Sequence, residues 1–143
     1  MDIKVRIATR DDVGDMMPLF LDLYKGDIGA HFSDVLEEYI GSDSHLVAVA
    51  IADARMVGLL IGSYRLDIDY ECRAGFIDAI VVDEAYRMQG IGEQLVRNFA
   101  EWAKSRSCTV LQVLNARGEF FENIGFKERR VKLHQVSVGE ICR

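Results

Sequence analysis

An apolar run, Phe76-Ile77-Asp78-Ala79-Ile80-Val81-Val82, passes through a short polar turn into Arg87-Met88-Gln89-Gly90-Ile91-Gly92 and then into an amphipathic stretch ending at Arg106. No other feature constrains the fold as tightly. A run this apolar suits a strand covered on both faces. Beyond it, Ile91, Leu95, Phe99, Trp102 and Ala103 recur at helical spacing as one stripe. Glu93 lies near the positive end of that helix, and Lys104 and Arg106 lie near its negative end. A buried strand therefore turns directly into a helix start. The first amides of a helix have no internal partner and point outward together, which makes an anion site. Glycines at 90 and 92 keep side chains off those amides, and Arg87 adds a cation at the mouth. The site suits a pyrophosphate and requires no lysine. A glycine pair at a helix start is also a common turn device, so other blocks must decide. A Walker A loop would need a lysine and a hydroxyl residue after its last glycine, and Gly90 is followed by Ile-Gly-Glu-Gln-Leu-Val. A dinucleotide fingerprint would need a third glycine where Leu95 stands.

The rest of the chain supplies a scaffold of matching size. At 143 residues it is about one domain, with no linker, repeat or low-complexity tract. Alternating Ile3, Val5 and Ile7 predict a first strand, and Thr9 with Asp12 predicts a capped helix start. Val13, Met16, Met17, Phe20 and Tyr24 continue at helical spacing, with Pro18 expected to kink or break the helix. A second helix is expected from Ser33 to Gly41. His45 to Ala52 and Met56 to Tyr64 predict a hairpin about Asp53-Ala54-Arg55. Thr109 to Leu114 predicts a strand, Glu119 to Ile124 a short helix, and Phe126 to Val136 a last strand or hairpin. The order β α α β β β α β α β is a mixed α/β sheet.

Composition removes several classes. The net charge of −6 argues against a nucleic-acid binder, which needs clustered cations. It leans instead toward a cationic partner. No apolar run approaches the ~20 residues that span a bilayer, so no membrane role is expected. Cys72, Cys108 and Cys142 are odd in number and widely spaced, which argues against a disulfide scaffold or a zinc knuckle and for a reducing, cytoplasmic setting. No metal is expected. His31, His45 and His134 are isolated in sequence and are read as surface or strand-edge residues.

Arg87-Met88-Gln89-Gly90-Ile91-Gly92 after a strand resembles the (Arg/Gln)-x-x-Gly-x-(Gly/Ala) signature of the GNAT superfamily of acyl-CoA-dependent N-acyltransferases. A second block, Leu111 to Asn115 followed by Phe120-Phe121-Glu122-Asn123-Ile124-Gly125-Phe126, is similar to that family's usual ending, and the order of elements matches along nearly the whole chain. The resemblance implies a mixed, mostly antiparallel sheet of about six or seven strands flanked by about four helices. It implies acetyl-CoA as cosubstrate, with its pyrophosphate held by the amides of Arg87, Met88, Gln89, Gly90, Ile91 and Gly92. The backbone of Ile80, Val81 and Val82 would pair with the pantetheine arm like an added strand, with one amide polarising the thioester carbonyl. Asn115 and Phe121 would lie near that arm. A primary amine, small-molecule or peptide, would attack the thioester directly. Homodimers are frequent in the family.

The chain departs from the pattern in one chemically important place. The family often has a tyrosine four residues before the glycine of the second block, where it protonates the leaving thiolate; here that residue is Phe121. This keeps a second reading open, a non-catalytic acyl-CoA-binding or regulatory domain, and transfer of a longer acyl group is a third. Asp78 is the one charge within the apolar run. It is either a general base toward the amine or a structural carboxylate paired to a neighbouring strand. Tyr64, Asp67, Asp69, Tyr70 and Glu71 are read chiefly as a solvated hairpin tip, while Phe20 and Tyr24 are core residues that could also touch an acceptor.

Overall fold

The computed structural model describes residues 2–114, 119–129 and 132–143. Strand β1 (Ile3–Ile7) leads through a 3-10 turn (Arg10–Asp12) into α1 (Val13–Leu23) and α2 (Phe32–Ile40). Strands β2 (His45–Ala52), β3 (Arg55–Asp67) and β4 (Cys72–Val82) follow, then α3 (Ile91–Ser105), β5 (Cys108–Val113) and two short helices, α4 (Phe120–Asn123) and α5 (Val138–Ile141). The strands form one sheet in the order β1-β2-β3-β4-β5, antiparallel except for the β4–β5 pair. Among the described residues no helix is long and apolar enough to cross a membrane.

Local sequence accounts for most of these elements. The β2–β3 hairpin closes on two residues, Asp53 and Ala54, with φ of +52° and +61°. Two left-handed central residues match the twist of the flanking strands. At the next connection, the Asp67 carboxylate accepts from the amides of Asp69 and Tyr70 and turns β3 into β4. The capping interaction expected at Thr9 is present: the Thr9 amide donates to Asp12 Oδ2 at 2.7 Å. Asp12 also holds Arg6 through two bonds of 2.8 Å, tying the end of β1 to the start of α1.

Three expectations are corrected. Helix α1 runs unbroken through Pro18. The carbonyl that proline leaves without a partner belongs to Gly14, and both residues are exposed, so water can take the place of the missing donor. The described part of the sheet has five strands rather than six or seven, because the described residues of 126–136 form no strand. Its sequence carries the charged run Lys127-Glu128-Arg129-Arg130, and Leu133 and Val136 stay exposed, so among the described residues little beyond Phe126 is buried. Among the described residues there are five α-helices rather than about four, because Val138–Ile141 adds a single turn.

Each face of the sheet carries a core. On one, Ile77, Leu95, Phe99 and Phe121 pack with α3 against β2–β4. On the other, Met16, Phe20, Leu36, Val49 and Val81 pack α1 and α2 onto the strands. Helix α3 sits close because Gly62 and Gly75 have no side chains. A Cβ built on Gly62 would lie 2.3 Å from the Phe99 ring, and one on Gly75 would lie 2.8 Å from Leu111.

Candidate active site

Two irregularities in the sheet register make the site. Pairing of β3 with β4 runs Ile61↔Ala79 and then Gly62↔Ile77, so Asp78 is an extra, unpaired residue: a β-bulge. The bulge changes which face each side chain meets. Ile77 lies in the α3-side core, whereas Ala79, two residues on, packs with the α1/α2 side. The second irregularity is adjacent. Parallel pairing of β4 with β5 ends at Ile77↔Val113, while β4 continues to Val82. From Asp78 to Val82, β4 therefore has no β5 partner on that edge among the described residues.

The unpaired edge leads to the start of α3. Gly90 is the N-cap with φ +81°, and the Gln94 amide is bonded to the Gly90 carbonyl at 3.0 Å. The amides of Ile91, Gly92 and Glu93 precede that first bond, so helix geometry leaves them for an external acceptor. Met88 also has positive φ, +64°, and its side chain is fully exposed. Arg87 folds over the loop: Nε donates to the Val82 carbonyl at 3.1 Å, and Nη2 contacts Asp22 of α1 at 3.3 Å. Ile91 is buried and anchors the first turn from beneath. Ile80 and Val82 pack toward the α3 core, and Val81 packs toward the other.

Gly92 has a second neighbour. A Cβ there would lie 3.1 Å from the Phe120 ring and 3.9 Å from Val82. Phe120 thus borders the amide cluster, a position that sequence reasoning did not assign to it. Phe121 is buried and meets Phe120 and Phe126 edge to face, at centroid distances of 5.0 and 5.1 Å. Asn115 lies outside the described residues.

Asp78 stands between two cavities on the α1/α2 side. The first, about 170 Å³, is walled by Phe20, Tyr24, Phe32, Leu36 and Tyr39, with Asp78 as its only carboxylate among the described residues. Phe20 stacks parallel to Tyr24 and meets Phe32 edge-on, so the wall is a braced aromatic set. The second cavity, about 660 Å³, is bordered by Ser63, Arg65, Phe76, Lys132 and His134, again with Asp78. Asp78 is reached by solvent, but the surrounding wall removes enough water to push its carboxyl above the ordinary range, while the charge of His45 and the Ser63 hydroxyl act in the opposite direction. Burial also raises the Tyr24 and Tyr39 hydroxyls, and the negative charge of Asp78 adds to that. His45 is held by Ser42 Oγ at 2.8 Å and packs edge-on against Tyr39.

Tyr24 and Phe20 thus reach the cavity as well as the core. Phe32, Tyr39, Ser63 and His45 were not singled out as site residues. Their sequence signal, a 32/35/36/39 stripe on α2, also describes ordinary helix packing. The 64–71 group lies elsewhere. Tyr64 packs on Trp102 toward α3, and Asp67 accepts from the Gln112 amide at 3.0 Å. Among the described residues, no group of three His, Cys, Asp or Glu side chains could hold a metal ion.

The mixed sheet parts its parallel pair beside a glycine-led helix, with a carboxylate at the parting, and this is an α/β fold with a candidate anion site at a helix start. A family model described as the Acetyltransferase (GNAT) family matches residues 14–126, and the chain belongs to that family. Glucosamine 6-phosphate N-acetyltransferase 1 of Oryza sativa subsp. japonica is 36% identical over 64 residues, covering 43% of this chain and 38% of that one. Aminoglycoside N(6')-acetyltransferase type 1 of Acinetobacter haemolyticus is 24% identical over 75% of each chain. The solved structure of AAC(6')-Iy in complex with the bisubstrate analogue CoA-S-monomethyl-acetylneamine superposes with a TM-score of 0.85 at 20% identity, covering 96% of this chain and 99% of that one. The rice match spans well under two thirds of its relative's length, and the structural match carries the fold alone.

Proposed function

We propose that the protein moves an acetyl group from acetyl-CoA to a primary amine by direct attack within a ternary complex. The parting of β4 from β5 beside Asp78 carries this reading. It frees the edge at Ile80, Val81 and Val82 to receive an extended thioester arm as an added strand. The same edge runs to the amides of Ile91, Gly92 and Glu93, which suit a pyrophosphate at a helix start. The Arg87 guanidinium can turn from Asp22 toward the phosphates, because both groups are about half exposed. In the reaction the amine nitrogen bonds to the thioester carbon, the C–S bond breaks, and one amine proton passes to the Asp78 carboxylate. Phe121 has no proton to give, so the proton taken up by Asp78 passes through solvent to the departing thiolate, which leaves as the thiol. The three free cysteines support a reducing, cytoplasmic setting.

Titration with acetyl-CoA, followed by release of free thiol across a panel of amines, tests the reading. Binding with amine-dependent thiol release is expected. Absence of acetyl-CoA binding removes it. Phe121 favours one competing reading, a regulatory domain that binds acyl-CoA without turnover. Intact binding with no thiol release over a wide panel would select that instead.

A further inference from the structure

Granting the acetyltransferase reading, the two cavities about Asp78 also narrow the acceptor. The smaller one is apolar and aromatic, and among the described residues its only charged side chain is Asp78. Its volume of about 170 Å³ is close to that of an engineered apolar cavity of roughly 150 Å³ that holds benzene. One six-membered ring or a short branched alkyl group fills it. The Tyr24 and Tyr39 hydroxyls are its only other polar side-chain groups, too few for a ring carrying several hydroxyls. Across Asp78, the larger cavity carries Arg65, Lys132 and His134. A second ammonium on the acceptor would face Arg65 and Lys132, an arrangement that disfavours polyamines and polycationic sugars.

We infer that the acceptor is a compact hydrophobic monoamine, an arylalkyl or branched alkyl primary amine. Its nitrogen lies at Asp78 and its apolar group lies between α1 and α2, against Phe32, Val35 and Leu36. The aromatic faces of Tyr24 and Tyr39 add attraction for the ammonium as it enters.

The experiment measures acetylation of phenethylamine, isoamylamine, putrescine, kanamycin and glucosamine 6-phosphate by thiol release at fixed acetyl-CoA. In parallel, calorimetry follows phenethylamine binding to the CoA-loaded protein, which needs no turnover. The expected result is that phenethylamine and isoamylamine exceed the three polar amines in kcat/KM by at least tenfold. In the n-alkylamine series kcat/KM should rise about fourfold per methylene until the cavity is full. Val35→Trp, at a position that is half exposed and borders the cavity, should fill it. That variant should weaken phenethylamine binding at least tenfold and leave acetyl-CoA affinity unchanged, which also shows that it is folded. Preference for kanamycin, putrescine or glucosamine 6-phosphate overturns the inference and leaves the acetyltransferase reading standing. So does an unaltered phenethylamine affinity in Val35→Trp. Acetyl-CoA binding with silence across every amine and no phenethylamine binding removes both.

Discussion

Gly62→Ala should be among the most damaging single substitutions in this protein, although it adds one methyl group. Gly62 pairs with Ile77 beside the bulge, and the Phe99 ring of α3 occupies the space where a side chain would stand. The added Cβ would lie 2.3, 2.6 and 2.9 Å from three ring carbons, where ordinary contact begins at 3.4 Å. The ring must therefore move by about 1 Å. It cannot turn aside: Gly75 seats its other edge, and Trp102 stacks on it at 5.5 Å. Overpacking usually costs about 1–3 kcal/mol, and this degree of confinement puts the expected loss at about 3 kcal/mol. In a domain of this size that is a fall in Tm of about 10–15 °C. Phe99→Leu alone should cost about 1–2 kcal/mol, less than the ~3–5 of a Phe→Ala truncation. The double variant should be at least about 1 kcal/mol more stable than the sum of the singles, because the smaller residue gives way to the new methyl. Urea denaturation of the four proteins reads this coupling directly. Additivity within about 0.5 kcal/mol would refute the steric account. Because α3 also presents the amides proposed to hold acetyl-CoA, Gly62→Ala should weaken acetyl-CoA binding, and the double variant should recover part of it.

Four further outcomes follow from the site and its supports. Asp78→Asn should lower kcat about 10²- to 10³-fold with little change in acetyl-CoA affinity, and should remove the acid limb of the pH–rate profile, since the base is lost as pH falls through its raised pKa; a limb that persists rules out Asp78 as the base. The same raised pKa means the native state strains against the charged form, so Asp78→Asn should raise Tm at pH 7 and leave it unchanged near pH 3, an expectation that equal shifts at both pH values would contradict. Asp12 is held at about 2 against an ordinary 3.8, chiefly by the Arg6 hydrogen bonds; the gap is about 2 kcal/mol, reduced to about 1 by water around half-exposed Arg6. That stability is full above pH 4 and lost between pH 4 and 2, so the difference between wild type and Asp12→Asn in urea melts should shrink over that window, and a constant difference would refute the pairing. Gly92→Glu should reduce acetyl-CoA affinity more than tenfold by calorimetry, through contact with Phe120 and charge at the amides, and unchanged affinity would move the pyrophosphate elsewhere.

Whatever depends on neighbours in sequence was readable before the fold. The strand-to-glycine-to-helix block, the Asp53-Ala54 hairpin and the stripe of α3 are all set by spacing within about twenty residues. Asp78 stood out because a lone carboxylate in an apolar run needs a reason. What it faces was not readable, since Phe32 and Tyr39 are far from it in sequence and reach it only when α2 packs across the sheet. The bulge was equally hidden, because register is a relation between two strands, and Phe76 to Val82 read alone looks regular. The expected strand over Phe126–Val136 failed for the converse reason. Alternation can propose a strand, but a strand also needs an edge to join and a face to bury, and Leu133 and Val136 bury little.

The bulge joins the two halves of the proposed chemistry. If Asp78 were paired in regular alternation instead of bulged, Ala79 would share a face with Ile77, and each later side chain of β4 would change sides. With it, Val81 packs beneath α1 and Ile80 and Val82 pack toward α3, so the strand stays buried on both faces while its free edge runs from Asp78 toward the amides of Ile91 and Gly92. One strand then carries both the backbone that would hold the thioester arm and the carboxylate that would take the amine's proton, so their separation is fixed by covalent geometry. This also explains how a chain of net charge −6 could hold a polyanionic cosubstrate. Amide dipoles at one helix start can bind the phosphates without a basic surface. Arg65 and Lys132 border the larger cavity, and on the proposed reading they would select there against a second cationic group on the acceptor.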